Sequence, residues 1–282
     1  RRAQALLNEP PLTMLLSAQA AQLGGDETAA RRAFEAMLER PETEFLGLRG
    51  LTVQAMRSGE RVRALELVRR AHALRPETPW VLSSRFELEA QAGHWQAAET
   101  ALSGALKKGA IEESDSRRCR AVVLYCQALE AAEEGREGPA ASLAAKAHEQ
   151  VAELIPAAVL AARLAAAAGK KRRAAKIVET SWAAAPHPDL AQVYEALEED
   201  EEGAKRVARL ERLAALSAGH AEGRIAVARA AIEAALWGLA RTQLAPLAEN
   251  QPEARVCRLM AALEEGEERE AGAAQAWLLR FG

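Results

Sequence analysis

The chain has 282 residues and a formal net charge of -3, and 49% of its residues are hydrophobic. This balance, with a pI near 6.1, gives no general attraction to nucleic acid or to an anionic membrane surface, so we expect neither as a binding partner. Aromatic residues make up only 4%, and alanine and leucine are abundant, so helix propensity is high and no sheet is expected.

A glycine returns at a regular interval along the chain, and an alanine follows each one at a fixed distance. The glycines, with an interruption after the third, are Gly25, Gly59, Gly93, Gly135, Gly169 and Gly203. The alanines are Ala30, Ala64, Ala98, Ala140, Ala174 and Ala208, with Ala240 and Ala273 continuing the series. A period of about 34 residues, with two helices joined by a small-residue turn, is typical of tetratricopeptide repeats. We predict an all-α fold, a right-handed superhelical solenoid of about eight tetratricopeptide-like helical hairpins that turn at the six glycines.

In chain order, repeats one to three occupy residues 1–112. In repeat two the first helix ends near Gly59, and Pro76 stops the second. Residues 113–120, ESDSRRCR, are an insertion that either lengthens a loop or adds a turn to the next helix. Repeats four to eight continue the solenoid over residues 121–282. The last repeats depart from the pattern, as terminal repeats do because one side faces water.

Signatures of enzymes are absent from the sequence, which has no G-x-G-x-x-G, P-loop, H-E-x-x-H or G-x-S-x-G motif. Its five histidines lie far apart in the sequence, without metal-ligand spacing. Cys119 and Cys126 lie on one helix face about 10 Å apart, at 1.5 Å of rise per residue, and are interpreted as core thiols. We therefore expect no catalytic residue, no cofactor and no metal site.

Two runs of like charge fall in the turns of neighbouring repeats. The basic run is Lys170, Lys171, Arg172 and Arg173, and the acidic run is Glu198, Glu199, Asp200, Glu201 and Glu202. Stacked repeats place such turns side by side, so the favoured interpretation is a mutually screened surface stripe. An electrostatic docking edge is the alternative.

The first helix of each repeat is expected to line the concave groove of the solenoid. The phase of the repeat places these residues in that partner-binding groove: Arg49, Val53, Arg57, Trp80, Glu87, Tyr125, Leu129, Arg163, Val193, Leu197 and Arg229. The set mixes apolar side chains with arginines, a composition common at protein interfaces.

Four stretches resemble the HemY family of bacterial inner-membrane proteins associated with haem biosynthesis. They are PETEFLGLRGLTVQAMRSG (41–59), LRPETPWVL (74–82), AAPHPDLAQVY (184–194) and RVCRLMAALEE (255–265). The resemblance implies a bacterial inner-membrane location, with an N-terminal anchor missing before Arg1 and a soluble repeat domain on the cytoplasmic side. The family has no agreed catalytic residues to carry over. The chain lacks the dinucleotide fingerprint of the flavin-dependent oxidase that shares the HemY label.

Together these observations predict a non-enzymatic scaffold that is tethered to the membrane and binds a protein partner through the groove. The partners implied are tetrapyrrole-pathway enzymes or inner-membrane proteins. The alternative is a haem or porphyrin carrier, in which Tyr125, a cysteine or a histidine ligates iron within the groove. An enzyme is the third possibility, and the missing motifs argue against it.

Overall fold

The computed structural model describes residues 10–198, 200–250, 253–267 and 271–279. Over this part of the chain the secondary structure is sixteen α-helices without a strand. Consecutive helices pair as hairpins, so the predicted all-α class of helical-hairpin repeats is confirmed. Among these helices none is both long enough and apolar enough to cross a membrane.

The chain divides into two compact units, residues 1–127 and 128–282. The helices of the first unit are α1 (Pro10–Leu23), α2 (Glu27–Met37), α3 (Pro41–Arg57), α4 (Arg61–Leu74), α5 (Pro79–Gln91) and α6 (Trp95–Lys107). Helix α7 (Glu113–Glu133) runs through the division. The helices of the second unit are α8 (Glu137–Gln150), α9 (Ile155–Ala167), α10 (Lys171–Ala184), α11 (Pro188–Ala196), α12 (Gly203–Ala215), α13 (Ala221–Glu233), α14 (Trp237–Asn250), α15 (Ala254–Gly266) and α16 (Ala271–Leu279).

The insertion at residues 113–120 forms the first two turns of α7, because that helix begins at Glu113. Of the two possibilities left open by the sequence, a longer loop or a longer helix, the chain takes the second. The repeat bounds predicted on either side of the insertion stay a prediction.

Most first helices end in a repeated hydrogen-bonded turn around a left-handed glycine. At Gly59, where φ is +74°, the Glu60 amide donates to the Ala55 carbonyl over 2.9 Å and the Gly59 amide donates to Met56 over 3.2 Å. This pattern satisfies carbonyls that the helix end leaves free, and the positive φ favours glycine. The same positive φ occurs at Gly25, Gly93, Gly135 and Gly169.

The alanine series marks where each second helix packs against its neighbours. Six of its members are completely buried: Ala30, Ala64, Ala98, Ala140, Ala174 and Ala240. Ala208 is exposed, and Val207 is buried in its place. The prediction for Ala208 is therefore wrong by one position. Near the C-terminus Ala273 is half-buried, whereas Ala274 is buried.

The sixth hairpin closes without a left-handed glycine, so the predicted turn at Gly203 is also wrong. Gly203 is the first residue of α12 and has no positive φ. Arg209 of α12 instead donates to the carbonyl oxygens of Tyr194 and Glu195 at the end of α11. Its Nε donates to Glu201 over 2.8 Å. An arginine side chain thus caps the short helix that glycine turns cap elsewhere.

An alanine occupies the glycine position of the seventh hairpin. Ala235 has φ of +55°, and it is the one non-glycine residue with a positive φ in the described part of the chain. The Leu236 amide donates to the Ala231 carbonyl over 2.8 Å, the same bond that closes the glycine turns. A side chain in this conformation is strained by about 1–2 kcal/mol.

Replacing Ala235 with glycine should therefore raise the free energy of unfolding by about 0.5–1 kcal/mol, after the entropy that glycine adds to the unfolded chain is subtracted. Urea denaturation measures the change. The matched control is Ala168→Gly, because Ala168 also precedes a turn but has φ of -77°. We expect the control to lose stability, and a loss in both variants would contradict the assignment of strain to Ala235.

Glycines also allow aromatic rings to lie against helix backbones. A Cβ atom added at Gly50 in α3 would lie 2.3 Å from Cε1 of Phe34, a ring of α2 that is only 4% exposed. A Cβ at Gly266 would lie 2.4 Å from the ring of Trp237. Trp237 is thus a packing residue. In each unit one aromatic ring packs against a neighbouring helix at a position that only glycine leaves open.

Candidate functional site

Three of the predicted groove residues form a row along one face of α3. Arg49, Val53 and Arg57 are four residues apart, which places them one turn after another on a helix. All three are exposed, with Val53 38% exposed. Within the described part of the chain no acidic group pairs with either arginine. This α3 row therefore presents two cations and an apolar side chain to solvent.

The first residue of the α3 row contacts an aromatic cluster at the start of α5. The Arg49 guanidinium lies 5.8 Å from the centroid of the Trp80 ring, and the Trp80 and Phe45 rings lie 5.4 Å apart. Arg75 covers the Phe45 ring at 4.5 Å. Stacked cations and rings of this kind attract each other through the ring quadrupole. Trp80 is half-buried, so it supports Arg49 as well as contributing to the surface.

The other predicted groove residues of the middle repeats differ in accessibility. Glu87 on α5 is exposed. Tyr125 and Leu129 are both half-buried on α7, four residues apart. They share one face of that helix with exposed Val122 nearby, so α7 carries an apolar strip of its own.

In the second unit one predicted groove residue is exposed, and two apolar ones are buried, contrary to the prediction. Arg163 on α9 is exposed, with no partner among the described residues. Val193 and Leu197 are 5% and 4% exposed and belong to the hydrophobic core, so they cannot contact a partner. Val193 lies within α11 and Leu197 directly follows it, and both side chains pack into the same hydrophobic core.

Arg229, the last predicted groove residue, is already paired. One of its terminal nitrogens lies 2.7 Å from both carboxylate oxygens of Glu195. The bond joins α13 to α11, the first helices of two neighbouring hairpins. Truncating Arg229 would leave Glu195 without this partner, so Arg229 helps to hold these hairpins together, and its part in binding a partner protein stays a prediction.

A buried ionic cluster in the first unit was not predicted from the sequence. Glu89 of α5 is 1% exposed and accepts two hydrogen bonds from Arg69 of α4, over 2.9 and 2.6 Å. His94 Nδ1 lies 2.8 Å away, and Arg85 Nε lies 3.6 Å away. Burial alone would raise the pKa of Glu89, but the bonds from Arg69 and His94 and the nearby positive charges outweigh it and lower the pKa.

A second set of ion pairs joins α2 to the start of α4, beside the groove that α2 and α3 line. Glu35 accepts from Arg31 over 3.1 Å and from Arg63 over 3.0 Å. Arg63 also lies 3.4 Å from Glu60. The 34-residue period gives no signal for these pairs, because Leu65, Arg69, His94 and Ala97 occupy the corresponding positions of the next repeat.

The basic and acidic turns were predicted to screen each other, but they do so only in small part. One ion pair joins them in the described part of the chain, between Lys171 and Glu198 over 3.1 Å. Lys170, Arg172 and Arg173 have no acidic partner there. The basic run therefore keeps most of its charge available.

Among the described residues, no three histidine, cysteine, aspartate or glutamate side chains lie close enough together to hold a metal ion. Cys257 is buried, whereas Cys119 and Cys126 are half-buried. Burial and the nearby Asp115 raise the pKa of Cys119, so its thiol keeps its proton at neutral pH and is a poor metal ligand.

The repeated hairpins and the exposed α3 row define a helical-repeat protein of the tetratricopeptide type. No family model matches the chain. It is similar to the probable magnetosome protein Mms48 of Magnetospirillum gryphiswaldense, with 33% identity over 189 residues. The match covers 65% of this chain and 42% of the relative, so the chain spans about two fifths of that protein's length. Membership of the HemY family stays a prediction.

Two solved structures are among those to which the chain is similar. One is the C-terminal part of a TPR repeat-containing protein from Cytophaga hutchinsonii, with 14% identity, a TM-score of 0.47, and coverage of 83% of this chain and 94% of that chain. The other is the MamA protein, with 18% identity, a TM-score of 0.40, and coverage of 71% of this chain and 96% of that chain.

Proposed function

We propose that the chain is a non-enzymatic scaffold that binds a protein partner through the exposed face of α3. The observation that carries this proposal is the α3 row, in which Arg49, Val53 and Arg57 face solvent without an acidic partner in the described residues. Arginines beside apolar and aromatic side chains are enriched at protein interfaces. Such residues contribute most when the partner excludes water from them.

The cellular setting is part of the same proposal. The resemblance to the HemY family supports a scaffold tethered to the bacterial inner membrane, with its repeats on the cytoplasmic side and tetrapyrrole-pathway enzymes or inner-membrane proteins as partners. The similarity to a probable magnetosome protein supports a magnetosome setting instead. Cross-linking in membranes of the native host, followed by identification of the captured proteins, distinguishes the two.

Truncating Arg49 or Arg57 to alanine should weaken binding of the captured partner by more than about 1 kcal/mol. The melting temperature should change little, because neither arginine pairs with an acid in the described part of the fold and the exposed Arg49–Trp80 contact contributes only about 0.5–1 kcal/mol. Isothermal titration with the purified partner measures the affinity.

The matched control is Arg61→Ala. Arg61 is likewise exposed and unpaired among the described residues, but it lies at the start of α4, outside the row. Equal binding by all three variants would exclude the α3 face as the docking surface.

A further inference from the structure

Corresponding residues line two grooves of the chain, one in each unit. The first groove, of 410 Å³, lies where α2 packs against α3 and the start of α4. The second, of 590 Å³, lies where α8 packs against α9 and α10. A residue of the first groove and its counterpart in the second are separated in the sequence by three whole repeats and the insertion at 113–120. Every residue that lines the first groove has its counterpart in the lining of the second, so the two are the same junction with different side chains.

The acids that close the first groove are missing from the second. Ala145 stands where the first groove has Glu35, and Lys170 stands where it has Glu60. Arg173 corresponds to Arg63 and keeps its charge. In the described part of the chain neither Lys170 nor Arg173 has an acidic partner. The second groove thus retains the cation of the ion-pair network, gains another, and lacks the counterparts of Glu35 and Glu60, while Glu137, Lys146 and Glu149 also line it.

The position of these cations is unfavourable for the isolated fold. Lys170 is the N-cap of α10, and three basic residues follow it in a first turn that has no acidic residue. The N-terminus of a helix carries partial positive charge, so each nearby cation is repelled there. Glu35 and Glu60 offset the corresponding charge on Arg63 in the first unit. An external anion would supply the same compensation in the second.

Much of the lining of the second groove is apolar and made of small side chains, beside polar residues that include Ser142. Ala145, Ala161, Ala165 and Ile177 line it, and all four are buried, with Ala145 the most accessible at 8%. Leu164 replaces Gln54, whose side-chain amide donates to Glu27 in the first groove. A ligand for this site therefore needs apolar groups for the walls and carboxylates for the two cations.

We propose that this groove between α8, α9 and α10 binds an acidic segment of a partner protein, whose glutamates take the places that Glu35 and Glu60 fill in the first unit. The proposal deepens the proposed scaffold function and rests on it. A peptide carboxylate is favoured because protein glutamates satisfy the equivalent cation in the first groove. The charge pairing gives specificity, and the alanine walls admit small apolar side chains beside the glutamates.

The test uses the whole chain and a fluorescein-labelled helical peptide built of Glu, Ala and Leu, with a Glu→Gln version as its control. The double variant Ala145→Glu/Lys170→Glu restores the acids of the first groove. A second double variant, Gln96→Glu/Lys107→Glu, makes the same change in net charge at exposed positions outside the groove. Fluorescence anisotropy measures peptide affinity, and thermal melting verifies that each variant is folded.

We expect the glutamate peptide to bind wild type and the charge-matched control equally. The glutamine peptide and the groove variant should each reduce affinity at least tenfold. Equal affinity of the groove variant and wild type overturns the proposal, as does equal binding of the two peptides or no peptide binding. Binding of a porphyrin dicarboxylate in the groove without peptide binding also overturns it. Partner capture that depends on Arg49 and Arg57 tests the scaffold function separately, because those residues lie in the other unit.

Discussion

Glu89→Gln should lower the free energy of unfolding by about 2–3 kcal/mol. The substitution keeps the shape of the side chain but leaves Arg69 and Arg85 without the carboxylate that they face. Removing one member of a buried ion pair costs about 3–5 kcal/mol when the remaining charge stays buried. Arg69 is about half exposed, so water recovers part of that loss. Urea denaturation at neutral pH measures the change.

The control for Glu89 is Glu77→Gln, which removes an exposed glutamate that lies 2.9 Å from Lys108. An exposed pair of this kind contributes about 0–1 kcal/mol. The difference between wild type and Glu89→Gln should also depend on pH. The pKa of Glu89 is lowered in the fold, so its stabilisation is present above the ordinary pKa of about 4.5 and is lost as the pH falls through the lower folded value. A difference that stays constant to pH 3 would contradict the ionic role.

Gly50→Ala should lower the free energy of unfolding by about 2 kcal/mol. Alanine in a helix interior normally gains about 1 kcal/mol over glycine, but here the new methyl group would meet the buried ring of Phe34 at 2.3 Å. Overpacking of a closed core typically costs about 1–3 kcal/mol and occasionally more. Thermal and urea unfolding measure the loss.

Gly138→Ala is the matched control, because a Cβ atom there meets nothing within 4 Å. We expect it to leave stability unchanged or slightly raised. Adding Phe34→Leu to Gly50→Ala should recover part of the loss, since a smaller side chain makes room for the methyl group. Equal effects at Gly50 and Gly138 would show that the ring contact does not matter.

The sequence predicts the hairpins well where glycine and alanine serve the same purpose in each repeat. The five glycines with positive φ and the six buried alanines follow directly from backbone and packing requirements that recur from one hairpin to the next. The prediction fails at Gly203, which matches the period but begins a helix. There Arg209 caps α11, and no rule of spacing indicates that a side chain has replaced a turn.

The candidate surfaces were predictable only in part, for a related reason. Helical spacing placed Arg49, Val53 and Arg57 on one exposed face, because α3 is long and regular. The same reasoning put Val193 and Leu197 at the surface, but both belong to the hydrophobic core. Pairing between Arg69 and Glu89 depends on how two hairpins stack, and a period alone does not determine it.

The ion pairs differ from one hairpin junction to the next, and this difference restricts the order in which the hairpins can stack. Between α2 and α4 the charges of Glu35 and Arg63 match across the first hairpin junction, and between α4 and α5 a buried glutamate meets an arginine. A hairpin moved elsewhere would bring its charges against the wrong neighbour. Although their backbones are alike, the hairpins are not interchangeable parts, and a shuffled or duplicated array would lose ion pairs that the natural order satisfies.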